Sequence, residues 1–203
     1  MGQTATGSIS RHSDTDGNLS NFEDILQKIS RDKLIDQTGI QEIDIHPYSN
    51  VDASIFDHWM SLVLLAGRKL KVCIKIHFDT ESGKQMILSK FNRSPDSITL
   101  DMIFDRLKEL SNLTAGGLKE SLGQENGNCG LSLPLVTRGF DEVLFRDRFL
   151  SAKKHGKRNV WQLKSANFKL ILSSEIQVFD WSAIQEVNYI ERDEEEEGEL
   201  EFL

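Results

Sequence analysis

The sequence predicts an α+β fold, a mainly antiparallel sheet with two or three helices packed on one side. Three observations carry that reading. Residues 69–78, KLKVCIKIHF, alternate strictly, with Leu70, Val72, Ile74, Ile76 and Phe78 on one face and Lys71, Cys73, Lys75 and His77 on the other. This is the period of a strand with one buried face and one largely wet face, which belongs to antiparallel sheets. Gly67 and Arg68 join that strand to a preceding apolar run at 57–67, a hairpin-length connection. Strand-like segments come first, helical ones follow, and strands return, an order that segregates the helices to one side of the sheet.

The elements follow in chain order. Residues 1–20, MGQTATGSISRHSDTDGNLS, have almost nothing to bury and are expected to be disordered. Phe22, Ile25, Leu26 and Ile29 then recur at helical spacing behind Asn21, an N-cap type, and predict a helix over 21–35 that Gly39 ends. Strands are expected at 42–49, 57–67 and 69–78. Residues 80–91 carry Met86, Ile87 and Leu88 as a short amphipathic helix, and Pro95 closes the connection after it. Ser97 or Thr99 can cap a long helix running to about residue 122, at 1.5 Å per residue roughly 36 to 39 Å in length. Residues 129–139, CGLSLPLVTRG, read as a strand with Pro134 at an edge or bulge. Two more strands are expected at 160–164 and 168–179.

Composition narrows the function. The 203 residues carry a formal charge of −8, but 191–201 hold eight acids against Arg192, so that run alone carries −7. The folded part is near neutral, and no nucleic-acid footprint is present. The acidic run at 191–203 is expected to be a disordered tail that self-repels, leaving a domain over 21–190. Two cysteines, Cys73 and Cys129, form neither a disulfide framework nor a zinc spacing and read as reduced thiols of a cytoplasmic protein. The longest apolar run, residues 60–66, is far below the roughly 20 residues that span a bilayer, so no membrane association is expected. Gly2 and Thr6 match a short acylation pattern that occurs often by chance.

In the long helix, Leu107, Leu110, Thr114 and Leu118 form the apolar stripe, while Asp105, Glu109, Asn112 and Gly116, spaced four, three and four apart, form another. The second stripe faces solvent or a partner. Two adjacent glycines, Gly116 and Gly117, each cost a helix interior about 1 kcal/mol relative to Ala and so call for a packing or functional reason. His77, Asp79 and Glu81 can be drawn as a metal site, though ordinary surface residues are the commoner reading. Lys153, Lys154, His155, Lys157 and Arg158 form a basic group that reads as a solvated loop, or as one that meets an acidic partner or the acidic tail.

The segment DRLKELSNLTAGGLKESL, followed by LSLPLVTRG, resembles the signature of the CheC, CheX and FliY chemotaxis phosphatases. The pattern is Asp105-x-x-x-Glu109-x-x-Asn112, with 21 residues before Pro134. The region LVLLAGRKLKVCIKIHFDTESGKQMI resembles the sheet and first helix of that family, and the likeness covers roughly residues 55–140. With a single Glu-x-x-Asn helix, the chain is similar to the single-site CheX type. The resemblance implies a CheC/CheX-like fold and a cytoplasmic hydrolase of two-component signalling, acting on the aspartyl phosphate of a CheY-like response regulator. No cofactor of its own is implied, since Mg²⁺ is expected on the phosphorylated regulator. Asn112 would orient the attacking water and Glu109 would anchor the regulator's active-site Lys, with Asp105 and Gly116 contributing to the contact. The family also implies a homodimer. The alternative on the same fold is a module that binds a response regulator or flagellar-motor component without hydrolysis.

Overall fold

The structure, a computed structural model, describes residues 10–48, 58–123, 128–142, 156–185 and 187–190, and only the backbone course over 10–15. Among the described residues the helices and strands run in the order α1 (Ser10–Thr38), β1 (Asp44–Pro47), β2 (Trp59–Ala66), β3 (Leu70–Phe78), α2 (Thr80–Lys90), α3 (Leu100–Ser121), β4 (Gly130–Leu131), β5 (Leu135–Arg138), β6 (Gly156–Lys164) and β7 (Lys169–Val178). The strands form one sheet in the order β1-β6-β7-β3-β2-β4, with β5 also on β2. Every pairing is antiparallel. The expected α+β class and the antiparallel sheet are both observed. The edge beside β2 is shared by two short strands because Pro134, which has no N–H to give a ladder, interrupts the segment between them.

Helices α1, α2 and α3 cover one face. Register defines it: Ile74 of β3 lies between Val63 of β2 and Ser174 of β7, and Ile76 between Ser61 and Leu172. Phe22, Leu26, Leu107, Leu110 and Leu118 join these residues, with Trp161 of β6, in one core. Polar bonds fix the helices on that apolar layer. The Trp161 indole donates to Ser30 Oγ at 3.1 Å, Lys157 Nζ meets Glu23 Oε2 at 2.8 Å, and Ser61 and Ser111 hydroxyls lie 2.8 Å apart. The first two hold α1 on β6, and the third holds α3 on β2.

Two expectations require correction. The first helix begins at Ser10, not near residue 21, so residues 10–20 are helical rather than disordered. Leu19 is buried in the core one turn before Phe22, and with no proline in 10–20 the helix continues upstream of its packed stretch. Residues 1–9 and the acidic tail lie outside the described residues, as does the acylation pattern.

The second face of β3 is not wet. Cys73 is 3 % exposed and Lys75 and His77 are 0 % exposed. The physical reason is charge pairing: Lys75 Nζ meets Glu175 Oε1 at 2.7 Å and Glu142 Oε1 at 3.1 Å, and Arg158 Nη2 meets the same Glu142 oxygen at 3.1 Å. Two cations thus balance two carboxylates away from water, the condition under which buried charge persists. Burial, with the positive charges of Lys75 and Arg158 acting in the same direction, lowers His77 to about 3. It is therefore a neutral imidazole. Burial raises Glu142, and Lys75 and Arg158 oppose that shift. Burial also pushes the Cys73 thiol up to about 12, which makes it an inert thiol.

Candidate functional site

The site is built on α3. Thr99 caps it, its hydroxyl accepting from Met102 N at 3.3 Å, and at 1.5 Å per residue the 22-residue helix is about 33 Å long. Ile103, Leu107, Leu110, Thr114 and Leu118 are buried against the sheet, and Phe104 packs edge-on to Trp59 with ring centroids 4.6 Å apart. Rotation of the helix is fixed by that apolar stripe. The opposite stripe is left facing outward.

Asp105, Glu109 and Asn112 are all exposed on that stripe, and Gly116 is half-buried. The structure thus brings the four sequence-singled residues onto one outward line. Asp105 pairs with Lys108 at 2.6 Å on the same helix. Among the described residues, the Asn112 carboxamide makes no hydrogen bond, and Glu109 makes none either. Glu109 acts on Arg106: burial lowers the guanidinium, and the Glu109 carboxylate opposes that shift. Arg106 donates to Gln37 O and lies over the Phe91 ring at 5.5 Å from its centroid. Glu109 and Asn112 stand three residues apart, about 4.5 Å along the axis, within one turn.

The two glycines separate cleanly. A Cβ on Gly117 would stand 2.8 Å from Ile29 Cγ2 and 3.3 Å from Lys33 Cε, so Gly117 admits α1 against α3. A Cβ on Gly116 would meet nothing within 4 Å. Gly116 therefore faces open space, on the same line as Asn112. Packing on the protein's own sheet explains neither residue.

Other candidate groups resolve into structural roles. His77 is buried, Asp79 Oδ1 caps α2 by accepting from Ser82 N at 2.6 Å, and Glu81 accepts from Gln85 at 2.8 Å. The three are committed separately. Of the basic group, Lys157 and Arg158 belong to β6 and pair with Glu23 and Glu142 instead of lying in a solvated loop, while residues 153–155 lie outside the described residues. Sequence reading missed two things beside the stripe. One is an open groove between α2 and α3 lined by Ile87, Phe91, Arg93, Met102, Asp105, Arg106 and Glu109. The other is the ionic cluster under Glu142. The signal for the groove was Phe91, a large aromatic at the end of a short helix with nothing downstream of its period to cover it.

No protein-family model matches the sequence, and no curated protein matches it either. Solved structures do. The chain superposes on the chemotaxis protein CheX of Vibrio vulnificus with TM-score 0.60 at 14% identity, covering 77% of this chain and 99% of that one. A chemotactic CheC-like protein of Shewanella oneidensis gives 0.59 at 18% identity, covering 77% and 98%. The CheX of Borrelia burgdorferi, solved in complex with CheY, BeF₃ and Mg²⁺, gives 0.57 at 18% identity, covering 77% and 97%. The chain has the CheX-like fold. Among the described residues, no helix is long and apolar enough to cross a membrane.

Proposed function

We propose, from the premise of a CheX-like fold, that this protein is a phosphatase of a CheY-like response regulator, hydrolysing the regulator's aspartyl phosphate. One observation carries the reading: Glu109 and Asn112 project from one turn of a buried-backed helix into solvent, and neither side chain makes a hydrogen bond among the described residues. An exposed, unengaged carboxamide is costly to neither fold nor packing and is available to a ligand. The solved complex of a CheX with CheY supports the choice of partner.

The chemistry asked of this chain is small. The regulator carries the phosphoryl group and, when bound, the Mg²⁺ that neutralises its developing charge. Asn112 supplies position. A carboxamide both donates and accepts, so it can accept a hydrogen from a water while donating to the phosphoryl edge and thereby hold the water in line with the P–O bond. A glutamine performs that role in GTP hydrolysis. Glu109, one turn earlier, is set to pair with a cation of the regulator, the active-site Lys. Asp105 is held by Lys108 and extends the acidic edge. Gly116 leaves clearance beyond Asn112 for the regulator's backbone.

The pairing predicts separable defects. Asn112→Ala should lower the decay rate of a phosphorylated receiver about a hundredfold or more while the receiver still binds, the scale seen when a transition-state contact is removed. Glu109→Ala should weaken binding first. Both are checked by phosphate release and by titration with the receiver activated by BeF₃. Binding by the wild type without any acceleration of decay would favour the non-catalytic module on the same fold.

A further inference from the structure

We propose that the groove between α2 and α3 is the specificity half of the regulator-docking surface, taking an apolar side chain of the receiver on Phe91 and a carboxylate of the same receiver on Arg93. This rests on the receiver reading above and extends it to residues outside the stripe. Asp105 and Glu109 are members of the stripe and also one wall of the groove. A body pressed onto Glu109 must therefore cover what lies across from it.

What lies across is built like the centre of an interface. Ile87 and Met102 form an apolar floor, and Phe91, at the C-cap of α2, is 43% exposed. Two guanidinium groups approach its ring, Arg106 at 5.5 Å and Arg93 at 6.0 Å from the centroid. Aromatic and arginine side chains are the types that carry interface energy. The two arginines differ in commitment. Arg106 is held by the Gln37 carbonyl. Arg93 is exposed, and among the described residues its guanidinium makes no hydrogen bond or ion pair, only the approach to the Phe91 ring, so its five donors remain for an incoming acceptor.

Charge pattern selects the occupant. The groove carries the Asp105 and Glu109 carboxylates on α3 and the Arg93 cation just past the end of α2, with an apolar strip of Ile87, Phe91 and Met102 in the same lining, a pattern matched by a surface offering a cation, an apolar side chain and a carboxylate. The receiver of the functional reading already brings the cation to Glu109. Register along the strip then discriminates among receivers that share the same phosphorylation chemistry.

The test uses the full chain and receiver domains of the same genome, phosphorylated with acetyl phosphate, and reads kcat and KM separately. Phe91→Ala and Arg93→Glu should each raise KM about tenfold with kcat little changed, the loss expected of an interface anchor. Phe179→Ala, an aromatic 45% exposed at the end of β7, should leave KM within about twofold. If Asn112→Ala abolishes turnover while both groove variants keep the wild-type KM, the groove proposal is overturned and the phosphatase reading stands. If the wild type neither binds nor dephosphorylates any receiver, both fall. A Phe91→Ala change in oligomeric state by light scattering, with KM unchanged, would assign the groove to contact between copies and also overturn the proposal. Thermal melts of both variants confirm that the fold survives, as substitution at exposed positions predicts.

Discussion

Gly116 and Gly117 stand side by side in α3 and answer to different neighbours. Gly117→Ala places a methyl group 2.8 Å from Ile29 Cγ2 and should destabilise the protein by about 1–3 kcal/mol in urea unfolding, the usual cost of overpacking. Gly116→Ala places the same group in open space, where the helix gains up to about 1 kcal/mol. If clearance is its function, that more stable variant turns over the receiver more slowly. His77 gives a second residue-scale outcome. Its folded-state value, lowered to about 3 from 6.5, means the unfolded chain takes up a proton that the native chain refuses. Stability from this group is complete above pH 6.5 and falls by about 1.4 kcal/mol per unit as pH drops toward about 3. Urea unfolding of His77→Gln across that window should show a flatter slope than the wild type.

At the scale of elements, β3 shows where alternation in sequence stops being informative. Its apolar face was legible, because Leu70, Val72, Ile74, Ile76 and Phe78 recur at period two and are all buried. Its other face reads as wet from the letters Lys71, Lys75 and His77, yet Lys75 is buried because Glu142 and Glu175, 67 and 100 residues away, supply its counter-charges. Long-range pairing of that kind has no local signature. Lys75→Met should therefore destabilise by about 3–5 kcal/mol, since it strands the buried Glu175 carboxylate and leaves Glu142 with Arg158 as its remaining cation, and a Glu175→Gln background should recover part of the loss. Urea midpoints of the single and double variants measure that coupling. The start of α1 was missed for a related reason: its upstream residues look polar, while Leu19 extends the packed stripe before Phe22. The long helix was read almost to its ends, because a Thr cap and a continuous apolar stripe are both local.

For the whole molecule, one antiparallel sheet, buried at its centre on both faces, backs a helix whose outward stripe it keeps fixed. The α+β class followed from strand alternation and element order, and the CheX-like fold from the Glu-x-x-Asn helix followed by Pro134; the superposed structures bear both out. The stripe itself was legible as a line of four residues. Its availability was not, because engagement by neighbours is a property of the assembled surface: only there do Asn112 and Glu109 stand clear, and only there does Phe91 emerge beside them. The central claim is catalytic turnover by Asn112, and a substoichiometric decay assay tests it most directly. A phosphorylated receiver is mixed with one-twentieth its concentration of this protein, about a 1:20 ratio chosen so that any full decay requires repeated turnover, and phosphate release is followed in time. The account predicts complete, accelerated release with wild type and the receiver's own slow rate with Asn112→Ala. Equal acceleration by both proteins would contradict it.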